Sequence, residues 1–271
     1  MFQNKLIYLK IIICILIFLS IGIFCLKKNE RIIKIGLVGD LTGRMSELGI
    51  NARNGAALAA DIINKSGGIN GARVELIIKN DFNNPDSALA ADKSLIDEGV
   101  DIIIGHMVSG VMKKTFDYIN SVNALMLSPT IASTKFSGLD DNFIAMSISN
   151  KSEAEYLAEI LLSKKKKKIA VVFELKNRLY TETLFDIFKD YFIEQGGHLP
   201  DSITYTSSNN VDFKKIGVDL LKGKPDACLI FSNGLDSGRI CQAIRNQDTE
   251  IPIFNSRWGM TFDFFETLGA N

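Results

Sequence analysis

Ile32-Ile-Lys-Ile-Gly-Leu-Val38, running into Gly39-Asp-Leu-Thr-Gly43, decides how this chain folds. A nearly unbroken apolar run that stops at glycines reads as a strand buried on both faces. Gly39 to Gly49 then reads as a loop. Asn51–Asn64 reads as a helix, because Ala52, Ala56, Ala59, Ala60 and Ile63 recur at helical spacing. Gly67-Gly68 ends it, since glycine accepts the left-handed backbone of a helix terminus. Strand Val74–Ile78, helix Ser87–Glu98, strand Ile102–Ile104, helix Met112–Ile119 and strand Leu125–Leu127 follow. Strict β/α alternation predicts a parallel sheet with helices on both faces.

The rhythm repeats with helix Ser152–Leu162, strand Ile169–Phe173, helix Thr181–Glu194, strand Ile203–Tyr205 and helix Phe213–Leu221. Strand Ala227–Phe231, helix Gly238–Arg245, strand Ile251–Phe254 and a partial helix Phe262–Leu268 complete it. The expected class is therefore α/β, with two Rossmann-like lobes on parallel sheets. Lys135–Ser149 serves as the crossover, giving a leader at 1–31, a first ligand-binding lobe at 32–149 and a second at 150–271. The lysine run Lys164–Lys168 reads as a solvated helix end, where cations meet the helix dipole favourably.

Ahead of the first strand, Ile11 to Leu26 is apolar and is flanked by Lys5 and Lys10 on one side and Lys27 and Lys28 on the other. A basic stretch before an apolar one is the pattern of export. Extended back to Leu6, it is also long enough to cross a bilayer core of roughly 30 Å. A cleaved signal and a retained anchor are both open. Lys+Arg 31 equals Asp+Glu 31, but the first 31 residues hold five bases and one acid, leaving 26 bases against 30 acids in the body. That mildly acidic body argues against nucleic-acid binding. Of four cysteines, Cys14 and Cys25 lie in the leader and Cys228 and Cys241 at core positions, so no disulfide scaffold is expected.

Enzymatic motifs are missing from the sequence: H-E-x-x-H, C-x-x-C, G-x-S-x-G and the P-loop do not occur. The first loop is G-x-x-x-G rather than G-x-G-x-x-G. A nicotinamide enzyme using Asp81 as its ribose acid is therefore the weakest reading. What remains is ligand binding beyond the carboxyl ends of the strands. Ser109 and Thr130 follow strand ends and precede helix starts, where they either hold a carboxylate or polar group or simply cap a helix. Tyr180 leads a helix of the second unit, and Asn233 and Trp258 follow strand ends there. Polar groups on one lobe facing rings on the other make a cleft for a small, partly apolar molecule.

The series Ile35-Gly-Leu-Val-Gly-Asp-Leu-Thr-Gly43, Asn54-Gly-Ala56, Gly67-Gly-Ile-Asn-Gly71, Asp81 with Pro85, Gly99-Val-Asp101, Ile104-Gly-His106 and Ser128-Pro-Thr130 resembles the leucine/isoleucine/valine-binding protein family. These are the type I solute-binding proteins of ABC transporters. Lys168-Ile-Ala-Val-Val172, the helix start at Tyr180, Gln195-Gly-Gly197 and Asp212-Phe213 carry the resemblance through the second unit. It implies two hinged lobes that close on one small ligand, an amino acid or related organic acid or amide, and then dock on a membrane permease. It implies no cofactor, no metal and no catalysis, with an exported protein in the periplasm or at the outer face of the cytoplasmic membrane. A membrane-anchored sensing domain of the same fold is the rival expectation.

By resemblance Ser109 matches the serine at the ligand carboxylate, Thr130 a residue offering backbone contacts there, and Tyr180 the aromatic that closes the cleft. Ala132 stands at the next hydroxyl position, with Ser133 beside it as a substitute. Leu48 stands where the family has an aromatic, and Trp258 where it has the acid that pairs with an ammonium. A buried ammonium lacking its carboxylate is costly, roughly 3–5 kcal/mol by analogy with a broken buried ion pair. The expected ligand is accordingly a carboxylate or amide with an apolar or aromatic body, unless Asp236 or Glu174 supplies the charge. Family members also continue past the helix near Leu268-Gly269. Measured against them a C-terminal portion is lacking, and exposed apolar patches on the first lobe are expected.

Overall fold

The structure is a computed structural model describing residues 31–200 and 202–269; the expectations for the leader, with Cys14 and Cys25, fall outside these residues. The first unit runs β1 (Ile32–Gly39), α1 (Glu47–Lys65), β2 (Arg73–Asn80), α2 (Pro85–Asp97), β3 (Ile102–Ile104), α3 (Met112–Ser121), β4 (Leu125–Ser128) and β5 (Phe143–Ala145). The second runs α4 (Asn150–Ser163), β6 (Ile169–Glu174), α5 (Arg178–Glu194), β7 (Ser202–Tyr205), α6 (Phe213–Leu221), β8 (Ala227–Phe231), α7 (Gly234–Arg245), β9 (Ile253–Asn255) and α8 (Phe262–Leu268). Each unit has its own sheet, ordered β2-β1-β3-β4-β5 and β7-β6-β8-β9, and every strand pairing is parallel. The α/β reading of the sequence holds.

Two local expectations need correcting. The loop expected through Gly49 ends sooner, because α1 begins at Glu47. A Cβ at position 49 would lie 2.0 Å from the Asp40 carbonyl oxygen, so this glycine permits close approach of helix to loop rather than a turn. Phe143–Ala145, read as part of the crossover, is the fifth strand and pairs Met126 with Phe143. Asp141 and Asn120 side chains accept the N–H groups of Phe143 and Asn142 and fix this short edge.

The second sheet is buried on both faces, with every residue of β6 and β8 inside. Leu184, Phe188 and Phe192 of α5 pack against Phe231 and Val171 on one side; Ile216, Ile240 and Ile244 pack against Cys228 and Ile230 on the other. In the first sheet, Leu95, Met112 and Ile119 cover Val38, Ile103 and Met126. On the opposite face α1 lies mainly over β1 and β2, and Ile102 and Ile144 remain partly exposed, as do Leu58 and Ile62 along α1 itself.

Candidate functional site

A cavity of about 200 Å³ lies between the two units. That is more than ten times the roughly 15 Å³ a single water needs. Its walls come from segments that follow strand carboxyl ends: Leu48 after β1, Met107 and Ser109 after β3, Pro129 and Thr130 after β4, and Ser147 after β5. The second unit adds Asn177 and Tyr180 after β6 and Arg257 and Trp258 after β9. This is where open α/β sheets place their ligands.

Buried hydrogen bonds hold the first wall. Ser128 Oγ donates to the His106 carbonyl at 2.6 Å and accepts the Ile131 N–H at 3.1 Å. Thr130 Oγ1 donates to the Met107 carbonyl at 2.7 Å, tying the two loops together. Ser109 is 2% exposed, yet its hydroxyl has no partner among the described residues. Neither Ser109 nor Thr130 caps a helix; Val108 holds the cap position of the turn that opens α3, without a side-chain bond.

The second wall is built around Glu153. Its buried carboxylate accepts the Tyr180 hydroxyl at 3.1–3.2 Å, the Arg257 N–H at 2.8 Å and Arg257 Nη2 at 3.1 Å. Burial, reinforced by the Glu153 charge, pushes the Tyr180 phenol well above its usual range, so it stays a neutral donor. The Trp258 ring meets Tyr180 edge-on, with centroids 5.7 Å apart. Arg257 also donates to Ser147 Oγ and to the Ile148 carbonyl, both at 3.0 Å, and so straps β9 to the crossover. Asn177 Oδ1 accepts the Gly110 N–H at 3.1 Å, a direct bond between the units.

Of the residues singled out from sequence, Leu48, Ser109, Thr130, Tyr180 and Trp258 meet in this cavity; Ala132, Ser133 and Asn233 do not line it. Ala132 packs into the core with Met45 and Leu157. The Ser133 hydroxyl is buried without a partner among the described residues. Asn233 accepts the Asp236 N–H at 3.0 Å as the cap of α7 and lines a narrow crevice behind Trp258. Sequence reasoning missed Met107, Pro129, Ser147, Asn177 and Arg257. Arg257 and Asn177 stand beside or just before residues it did find, so their proximity to Trp258 and to the Tyr180 helix start was the available signal.

The carboxylates considered as ammonium partners are committed elsewhere. Asp236, 0% exposed, pairs with Arg44 of the first unit and accepts the Tyr205 hydroxyl at 3.2 Å. Glu174 is buried and accepts N–H groups of Lys176, Asn177 and Ser207; burial raises its pKa despite those bonds. Asp81 is likewise unavailable to a ribose. Its Oδ2 lies 2.8 Å from Nδ1 of the fully buried His106, whose Nε2 lies 3.2 Å from Asp92. Burial alone would lower the His106 pKa, but the Asp92 and Asp81 carboxylates raise it to about 9. The nucleotide reading thereby loses its acid.

The fold and site together thus comprise two parallel-sheet units with a pocket walled by segments from the strand ends of both. The chain belongs to the periplasmic binding protein family, whose model matches residues 32–261. It is 30% identical over 168 residues to the Leu/Ile/Val-binding protein homolog 3 of Brucella melitensis, covering 61% of this chain and 45% of that one. The matched segment thus spans less than half of that relative. Among solved structures it resembles the branched-chain amino acid transporter substrate-binding protein LivJ of Streptococcus pneumoniae in complex with isoleucine. The TM-score is 0.80 at 19% identity, with 88% of this chain and 67% of that one covered. It also resembles an R. palustris solute-binding protein in complex with 4-hydroxybenzoate, with TM-score 0.75, 17% identity, and 85% and 63% covered. At such identities these two structures establish the fold.

Proposed function

We propose that this chain is an extracytoplasmic solute-binding protein that closes on a small amino acid or related carboxylate or amide and delivers it to an ABC-transporter permease. The observation carrying this reading is a cavity whose walls come from both units, with Ser109 and Thr130 on one side and Tyr180 and Trp258 on the other. A solute held that way touches both lobes in the closed form only, and such differential contact is what shifts an open–closed equilibrium. Family membership supports the carrier role. The lysine-flanked run Ile11–Leu26 supports export.

A thermal-denaturation screen of the full chain against amino acids and small organic acids and amides tests it. A true ligand at a hundred times its Kd adds about 2.7 kcal/mol and raises Tm by several degrees. Tyr180→Ala should abolish that rise. A library without any stabilising compound would refute the proposal.

A further inference from the structure

We infer that the cavity selects an organic monocarboxylate bearing no ammonium group, with Arg257 as the anchor of the carboxylate and the barrier to a cation; this rests on the solute-binding reading above.

The wall is rich in donors and lacks a carboxylate among its lining residues. The Ser109 hydroxyl is free to donate. The Asn177 amide is oriented by accepting from Gly110, which leaves its Nδ2 without a partner among the described residues. Arg257 spends three of its five N–H groups on Ser147, Ile148 and Glu153, leaving Nε–H and one Nη1–H. The 17-residue helix α5 opens at Asn177 with no side-chain cap, so its positive end meets the same space. A carboxylate is the group that accepts from such donors.

An α-ammonium needs the reverse, a set of acceptors, and is repelled by the guanidinium of Arg257 in the same wall. Glu153 is the acid bonded to that wall. It is 3% exposed and already engaged by Tyr180 and Arg257, so a ligand cation reaches it only by displacing Arg257. The remaining wall, Leu48, Met107, Pro129, Tyr180 and Trp258, offers an apolar bed for the body of the solute.

Trp258 is the single tryptophan of the chain, so its fluorescence reports occupancy directly. The full chain, kept in mild detergent, is titrated with benzoate, 4-methylpentanoate, leucine and 4-methylpentanamide; the last three share one apolar body. At least one carboxylate should bind at least tenfold tighter than leucine and than the amide. Arg257→Met should weaken carboxylates at least tenfold and the amide several-fold less than that. That variant strands the Glu153 charge, so the Glu153→Gln/Arg257→Met double variant is measured beside it and should show the same loss. Glu153→Gln alone, which releases Arg257, should tighten carboxylate binding. Leucine binding as tightly as 4-methylpentanoate overturns charge selection and leaves the carrier reading standing. So does a double variant that holds carboxylates like the parent, or one that loses amide and carboxylate equally. Silence from every probe overturns charge selection, and the thermal screen above then decides the carrier reading.

Discussion

Alkaline pH should unfasten the buried support beneath the cavity. His106 sits directly before the Met107–Ser109 wall and is held between Asp81 at the end of β2 and Asp92 on α2. Its pKa rises from 6.5 unfolded to about 9 folded. A raised folded value means that the native state holds the extra proton. The stabilisation is therefore complete below pH 6.5 and is lost as pH climbs through about 9. At ~1.4 kcal/mol per pH unit, that gap amounts to about 3 kcal/mol. Urea denaturation of the parent and of His106→Gln across this window measures it, and subtracting the two curves cancels the other titrating groups. Asp92→Asn, which removes one of the two charges, should move the loss to lower pH. A parent stability that stays flat from pH 6.5 to 9, or a His106→Gln curve of the same slope, would refute the reasoning.

Two further outcomes follow from buried groups. Arg44→Met strips the fully buried Asp236 of its cation; since the Arg44 side chain is 18% exposed, the expected cost is discounted to about 2–3 kcal/mol, and Arg44→Met/Asp236→Asn should recover part of it in the same urea assay. Burial pushes the Cys228 thiol up to about 12 and that of Cys241 to about 11. Peptide mapping after alkylation of the native protein should therefore find both unmodified, and both modified once urea unfolds the chain.

The rhythm of strands and helices was legible because buried parallel strands such as Ala227–Phe231 are continuous apolar runs. What escaped reading was short or dual-purpose. β5 has three residues, too few to show a period, and is fixed by polar groups outside it. Gly49 looks like a loop residue but serves helix packing. At the site, strand ends and helix starts pointed to Ser109, Thr130, Tyr180 and Trp258. Sequence adjacency then misled at Ala132 and Ser133, because the backbone past Thr130 turns both inward. Arg257 could not be assigned from spacing, because its position depends on Glu153, 104 residues earlier.

The seam beside the cavity has its own consequence. Arg44 bonds Asn209 at 3.0 Å and pairs with Asp236, and Glu47 accepts the Asp263 N–H at 3.1 Å, all across the two units and none through the solute space. Prying the halves apart would bare a carboxylate whose only ion-pair partner among the described residues is left behind on the far side. The pairing therefore weights the polypeptide toward the joined arrangement of its halves before any solute is considered. Under the proposed carrier role, affinity would then drift by substitution along this border while every atom lining the cavity stays the same.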